Sequence, residues 1–273
     1  MNDLVSIITT AYNAEKYIKN TIESVLDQEY QNFEYIIVDD GSTDRTAQIV
    51  QLFSDTRIKF IQEEHIGRGR SLNKGIEASK GKYIAIQDAD DLSHPKRLSI
   101  QVYCLKKMND SGLLGTSQIE FFENQIPQWQ ILEGRNLQKS VVDSKWGLLY
   151  FNPISHTSMM VPRAIMNNVG NYDQTRIHLF DWDLYLRICA DGYRVCQVPL
   201  PLVGKRIHKK QFFERRNRIS YIYGSMKLQI RGAFLLKRFG LPLISIPFLF
   251  VFRLLPVKFR IGVRPLLKSV FHK

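Results

Sequence analysis

Three carboxylates, Asp88, Asp90 and Asp91, follow Lys82-Tyr83-Ile84-Ala85-Ile86-Gln87, a short apolar run that reads as a buried strand. Carboxylates crowded at the end of a buried strand repel one another and lose hydration. A cation removes that conflict. Oxygen ligands, with no His or Cys inside the acidic run itself, suit Mg²⁺ or Mn²⁺, and either ion suits a diphosphate. The carboxyl end of a strand in an open α/β sheet is also where ligands bind. A solvated acidic turn is the competing reading, because Asp is common in turns.

A second acidic segment, Asp39-Asp40-Gly41-Ser42-Thr43-Asp44, also follows an apolar strand and opens a helix. Two carboxylates ahead of the glycine are poor phosphate ligands, although a helix N-terminus favours anions. They suit hydrogen bonds from a nucleoside, such as a pyrimidine imide or a ribose hydroxyl. The Lys-Ser/Thr of a P-loop is absent. Capping by Ser42 with surface acids accounts for the segment equally well. Gly67-Arg68-Gly69-Arg70 lacks the full glycine spacing of a phosphate loop.

The elements that must position these groups alternate through the first hundred residues. Strands are expected at Leu4 to Thr10, Tyr35 to Val38, Arg57 to Gln62 and the run before Asp88. Helices are expected from an Asn13 cap to about Gln28, over Thr43 to Phe53, and around Leu72 and Ile76 up to Gly81. This alternation predicts an α/β fold with a doubly wound, mostly parallel sheet. Beyond Phe122 a polar loop over Asn124 to Gly134 precedes a helix at Trp146 to Phe151. A short strand at Ser158 to Val161, a helix over Asp183 to Ala190 and a strand at Tyr193 to Val198 complete the pattern.

The 273 residues carry a formal net charge of +12. Residues 1–214 hold 25 Lys+Arg against 26 Asp+Glu, whereas residues 215–273 hold 13 Lys+Arg and no acid. This asymmetry predicts an anionic partner for the C-terminal end. Residues 241–257 are apolar apart from Ser245 and Arg253 but include three prolines. Seventeen residues at ~1.5 Å each fall short of a ~30 Å bilayer core. A segment lying on an anionic membrane surface fits better than a spanning helix. A helix pair merely covering the core is the alternative. Nucleic acid is not the expected partner, because no recognition motif is present and apolar runs separate the charges. Cys104, Cys189 and Cys196 have neither metal nor disulfide spacing. The N-terminus does not read as a secretory signal, so a cytoplasmic, peripheral location on the inner face of the cell membrane is expected.

Thr9-Thr10-Ala11-Tyr12-Asn13, Val38-Asp39-Asp40-Gly41-Ser42-Thr43-Asp44 and Asp88-Ala89-Asp90-Asp91 together resemble the family-2 inverting glycosyltransferases of GT-A fold. Asn152-Pro153-Ile154-Ser155-His156 and Asp181-Trp182-Asp183-Leu184 extend the resemblance to about residue 208. It implies a GT-A domain over residues 1–210, with a nucleotide-binding half (1–100) and an acceptor-binding half (101–210). Residues 211–273 are then a helical extension. The resemblance implies a nucleotide-diphosphosugar donor, a lipid-linked or growing saccharide acceptor, and Mg²⁺ or Mn²⁺. Thr10, Tyr12 and Asn13 would line the nucleotide pocket, and Asp40 would meet the base, uracil. Arg70 and Asn73 would line the donor pocket. Asp88 would reach the ribose or metal side, Asp90 would ligate the metal, and His208 would reach metal or phosphate, with His156 a further candidate. Asp181 would be the general base. The family's Glu-Asp pair here reads Phe180-Asp181. Asp183, the rival base, reads as a helix cap. A synthase acting on polyprenyl phosphate is the neighbouring alternative, but such an acceptor needs no base.

Overall fold

The computed structural model describes residues 3–123, 125–129, 141–143, 147–208 and 218–255. Its centre is one mixed sheet. The strands are β1 (Val5–Ala11), β2 (Phe33–Asp40), β3 (Ile58–Glu63), β4 (Tyr83–Ile86), β5 (Leu92–Ser93), β6 (Gly112–Phe122), β7 (Val142–Asp143), β8 (Met160–Pro162) and β9 (Arg194–Ile207). They lie in the order β3-β2-β1-β4-β8-β6-β9-β5, with β7 also paired to β9. The first four strands are parallel. β8 enters antiparallel between β4 and β6. The order therefore reverses at β1, and the crevice beyond the ends of β1, β2 and β4 is the place where such a sheet takes a ligand.

Strands covered on both faces need side chains that are apolar in both directions. Ile8, Ile36, Val38, Ile84 and Ile86 face one core, filled by α3 (Arg68–Ala78) and α6 (Phe180–Ala190). Ile7, Tyr35, Ile37, Tyr83 and Ala85 face the other, filled by α1 (Ile18–Leu26) and α4 (Arg97–Lys107). Gly75 lets α3 approach β1 closely, since a Cβ there would sit 2.5 Å from Ile8 Cγ2.

The alternation expected in the first hundred residues is present, with displaced boundaries. Helix α1 begins at Ile18, because Asn13 has a φ of 50° and bonds across the crevice instead of capping. Helix α2 (Thr46–Gln51) starts late, because the Asp44 carboxylate accepts the Thr46 N–H at 2.9 Å and holds a turn there. Strand β9 runs well past Val198, through Pro199 and Pro201. Its register against β6 shifts between Thr116 and Gln118, where prolines cannot donate to the ladder. The helix expected at Trp146 to Phe151 is a short 3₁₀ turn, Gly147–Leu149, and Trp146 lies outside the described residues. Helix α5 (Arg163–Val169) leads from β8 toward α6.

The expected extension contains α7 (Arg218–Leu235) and α8 (Leu241–Leu254). Helix α7 is part of the core: Leu228 and Ala233 are buried, and a Cβ on Gly232 would lie 2.8 Å from Leu186 Cδ2. Asp183 fixes this packing. It is 1% exposed and pairs with Arg176 Nη2 at 3.0 Å, Arg187 Nε at 2.8 Å and Arg231 Nη1 at 2.8 Å. Its expected role as a cap is thus replaced by that of an ion-pair node, which a pattern local to one helix could not reveal. Removing one partner of a buried pair strands the others. Asp183→Asn should therefore lower stability by about 3 kcal/mol in urea denaturation. A loss under about 1 kcal/mol would mean that water satisfies the three arginines.

Candidate active site

At the ends of β1 and β2 the chain builds an aromatic shelf. Thr10 is half-buried at the end of β1. Tyr12 is half-exposed and stacks on His65, with centroids 4.4 Å apart and an interplanar angle of 29°. Asn13 Oδ1 accepts the Thr43 N–H at 2.9 Å, and its own N–H donates to Ser42 Oγ at 2.9 Å. The two sequence-predicted loops are therefore clasped together. Asp39 accepts the Ser42 hydroxyl. Buried Asp40 accepts the backbone N–H groups of Ile66 at 2.9 Å and Gly67 at 3.1 Å, and faces His65 Nδ1 at 3.2 Å. Gly41, at φ +73°, permits this approach, because a Cβ would lie 2.6 Å from the His65 nitrogen. His65 carried no sequence signal. It reaches the shelf only because Asp40 holds the loop before α3.

The acidic turn after β4 is neutralised from several sides. Arg68 donates to Asp88 Oδ1 at 2.5 Å, and His156 Nδ1 lies 3.5 Å from the same oxygen. Burial opposes ionisation of Asp88, but the Arg68 guanidinium and His156 outweigh it and hold its carboxyl well below the usual range. His156 Nε2 lies 2.8 Å from the Tyr172 hydroxyl. Asp91 accepts the Arg206 N–H at 2.9 Å, yet burial and the charges of Asp90 and Asp88 push its pKa up. Arg206 also donates to the carbonyls of Asp90 at 2.9 Å and Glu123 at 3.0 Å. Beneath the turn, fully buried Arg97 donates to Gln87 Oε1 and the Ile86 carbonyl, both at 2.8 Å. Burial lowers its pKa to about 10.

Asp90 Oδ2 lies 3.0 Å from His208 Nε2. The His208 ring packs against Tyr17 at 4.9 Å, and Tyr17 donates to Glu123 at 2.5 Å. Burial and Glu123 raise the Tyr17 pKa to about 12, so its hydroxyl stays a donor at neutral pH. A carboxylate oxygen and an imidazole nitrogen at hydrogen-bond distance, both partly accessible, fit a divalent cation. No cluster of three or more His, Cys, Asp or Glu side chains of metal-binding form occurs among the described residues. Asp88 is directed to Arg68 and His156. The imidazole, 118 positions from Asp90, adds a nitrogen to the oxygen-only donors expected locally.

Across from the acidic turn, Asp181 is half-buried in the first turn of α6, and Asn152 Nδ2 donates to its Oδ2 at 2.6 Å. Buried Phe180 packs edge-on against His156 at 5.4 Å and Tyr172 at 5.8 Å, with the Arg68 guanidinium 5.3 Å from its ring centroid. Arg68 feels the charges of Asp88, Asp90 and Asp181 together. Of the two residues expected to line the donor pocket, Arg70 is exposed on α3. Buried Asn73 is engaged with the backbone of Tyr172, donating at 2.9 Å and accepting at 3.1 Å. Arg68, two positions before Arg70, makes the contact with the acidic turn. Gly67, at φ +92°, stands at the N-cap position, so that α3 starts at Arg68.

A family model described as Glycosyl transferase family 2 matches residues 6–170. The chain is 33% identical over 238 residues to an uncharacterized glycosyltransferase of Methanocaldococcus jannaschii, covering 83% of this chain and 78% of that one. It is 34% identical over 220 residues to an uncharacterized glycosyltransferase of Haemophilus influenzae, covering 76% and 67%. It spans 65% of the length of a Rickettsia prowazekii relative. Among solved structures, S. aureus TarS 1–349 in complex with UDP-GlcNAc superposes with a TM-score of 0.68 at 19% identity, over 84% of this chain and 66% of that one. The mannosyltransferase PcManGT from Pyrobaculum calidifontis, in complex with GDP-Man and Mn²⁺, gives 0.61 at 18% identity, over 91% and 68%. Both share the doubly wound architecture found here. A family match over more than half of the sequence, with a relative one third identical over most of both chains, makes this chain a member of glycosyl transferase family 2, built on the GT-A fold.

Proposed function

We propose that the protein transfers a sugar from a nucleotide diphosphosugar, a UDP-sugar, with inversion, to a hydroxyl of a lipid-linked or growing saccharide. The observation that carries this reading is Arg68, which donates to Asp88 Oδ1 at 2.5 Å and lies over the ring of Phe180, so that one guanidinium links the acidic turn to the helix start that carries Asp181. The UDP-GlcNAc complex of TarS supports a UDP-sugar, and the Mn²⁺ complex of PcManGT supports a metal. Asp90 and His208 would hold the divalent cation, which when bound neutralises charge on the leaving diphosphate. Tyr12 and His65 offer the base a stacking surface. Asp181 takes the proton from the acceptor hydroxyl, with Asn152 fixing the plane of its carboxylate. Asp183 cannot serve, because three arginines enclose it. Phe180 replaces a carboxylate by an apolar wall, so the acceptor is held without that second acid.

The same protein is proposed to work at an anionic membrane surface, on the inner face of the cell membrane. Among the described residues no helix is long and apolar enough to cross a membrane. Helix α8 and the residues before it nevertheless expose Phe234, Phe239, Leu241, Ile244, Phe248 and Val251. Exposed large apolar side chains of this kind mark an interaction surface, and the sequence to which they belong, residues 215–273 with 13 Lys+Arg and no acid, favours anionic lipid.

Three outcomes test these assignments. Chelation should abolish transfer, Mn²⁺ should restore it, and Asp90→Ala should remove most activity; undiminished turnover after thorough chelation would reject the metal. Asp181→Asn should leave donor binding near the parent value while kcat falls by at least about 10²-fold, as general-base loss does. That signature arising from Asp183→Asn instead would overturn the assignment. The protein should sediment with anionic vesicles, be partly released by high salt, and lose most of this attachment when Ile244 and Phe248 are both changed to Glu. Equal sedimentation of parent and double variant would reject the membrane surface.

A further inference from the structure

The apolar helix α8 is poorly seated on the protein. Of its fourteen residues only Ile246 is buried, and Pro247 interrupts its interior. Leu241 is 71% exposed and Phe248 73%. A short helix with so little buried surface has little to hold it in water. Its polar tie to the domain is Arg253. That guanidinium donates to the Tyr150 carbonyl at 2.6 Å and to Ser225 Oγ of α7 at 2.8 Å. Gln229 of α7, itself buried, donates to the same Tyr150 carbonyl at 2.9 Å.

Tyr150 stands two residues before Asn152, the donor to Asp181. Trp182, next to Asp181, donates its indole N–H to the Leu148 carbonyl at 2.7 Å. From the other side, Arg231 of α7 reaches Asp183. Helices α7 and α8 therefore grip both the segment that orients the catalytic carboxylate and the helix that carries it. The exposed apolar side chains of α8, in a sequence segment that holds 13 Lys+Arg and no acid, fit an anionic lipid surface, and covering them supplies the burial that α8 lacks on the protein alone.

We propose that an anionic membrane is an activator of this enzyme: seating α8 on lipid locks Arg253 onto the Tyr150 carbonyl and so orders Asn152 and Asp181, with Arg253 as the positioning residue. This rests on the transferase and membrane readings above. The coupling is thermodynamic. Lipid must favour the state in which the Tyr150 clasp is closed, and the closed clasp must in turn strengthen lipid binding.

Hydrogen exchange of the full-length protein, with and without phosphatidylglycerol-containing vesicles, tests this without any knowledge of the donor. Bound vesicles should slow exchange of the Tyr150 and Phe151 amides by at least about fivefold, the lower end of ordinary allosteric coupling. Phosphatidylcholine vesicles should not. Arg253→Met, which has no donor, should sediment with the anionic vesicles as the parent does yet show no slowing, and Arg253→Lys, which keeps a donor, should restore it. With whichever UDP- or GDP-sugar the protein hydrolyses, the vesicles should raise kcat by a similar factor and leave donor KM unchanged. Vesicle-bound parent protein with unaltered exchange at these amides, or Arg253→Met with full slowing, would overturn the proposal. Failure to sediment would overturn it together with the membrane reading. Absence of turnover with every nucleotide sugar would reject the transferase reading alone, because the exchange result stands independently.

Discussion

Everything in this site depends on making three carboxylates tolerable at one strand end. Asp88, Asp90 and Asp91 lie within four residues, and each is given a different partner: Arg68 with His156, His208, and the Arg206 backbone. The buried Arg97 guanidinium, held only by neutral acceptors among its described bonds, adds a fixed positive charge beneath them. Charges enclosed in a protein act on one another more strongly than in water. The turn can therefore hold its shape and still present Asp90 as the carboxylate paired with an imidazole rather than with a guanidinium.

This distribution explains the separation of roles in the crevice. Asp88 is committed to the side where Arg68, His156, Tyr172 and Phe180 meet, which is also the side of Asp181. Asp90 is committed to the side of His208 and Tyr17. Phe180 stands where the family has an acid. An extra carboxylate there would compete with Asp88 for Arg68. With phenylalanine, the guanidinium lies against a ring face instead, an arrangement that is favourable once water is excluded.

The C-terminal helices give the charge asymmetry of the chain a structural meaning. Their polar contacts point inward, from Arg231, Gln229 and Arg253, to the segments around Asp181. Ile222, Leu228 and Ile246 are buried, but Phe234, Leu241, Ile244, Phe248 and Val251 are exposed. Helix α7 is core and α8 is a rider upon it, so the boundary near residue 210 separates composition more sharply than it separates structure.

The amino-acid pattern alone was enough for the alternation of the first hundred residues, because strands buried on both faces and helices buried on one leave periodicities that are local in the chain. It was enough to single out Asp88, Asp90, Asp181 and His208 as candidates, because these residues stand inside short motifs that the family resemblance covers. Helix ends were less legible: Asn13 is a good cap by type but is taken up by a contact with Thr43 that only the folded chain offers, and Asp44 holds a local turn onto Thr46 that delays the next helix. The roles of Arg68, His65 and Tyr172 were not legible at all. Nothing local distinguishes Arg68 from Arg70, and only the way α3 docks on β1 brings the first of them to Asp88. Asp183 is the same case in reverse. Its position at a helix start fits a cap, and only the arrival of Arg176 and Arg231 from distant segments makes it an ion-pair node. Periodicity is written along the chain, so the sequence determined the layers and the motif residues. Pairing of charges depends on distances between segments far apart in sequence, so only the tertiary structure decided which carboxylate meets a guanidinium and which meets an imidazole.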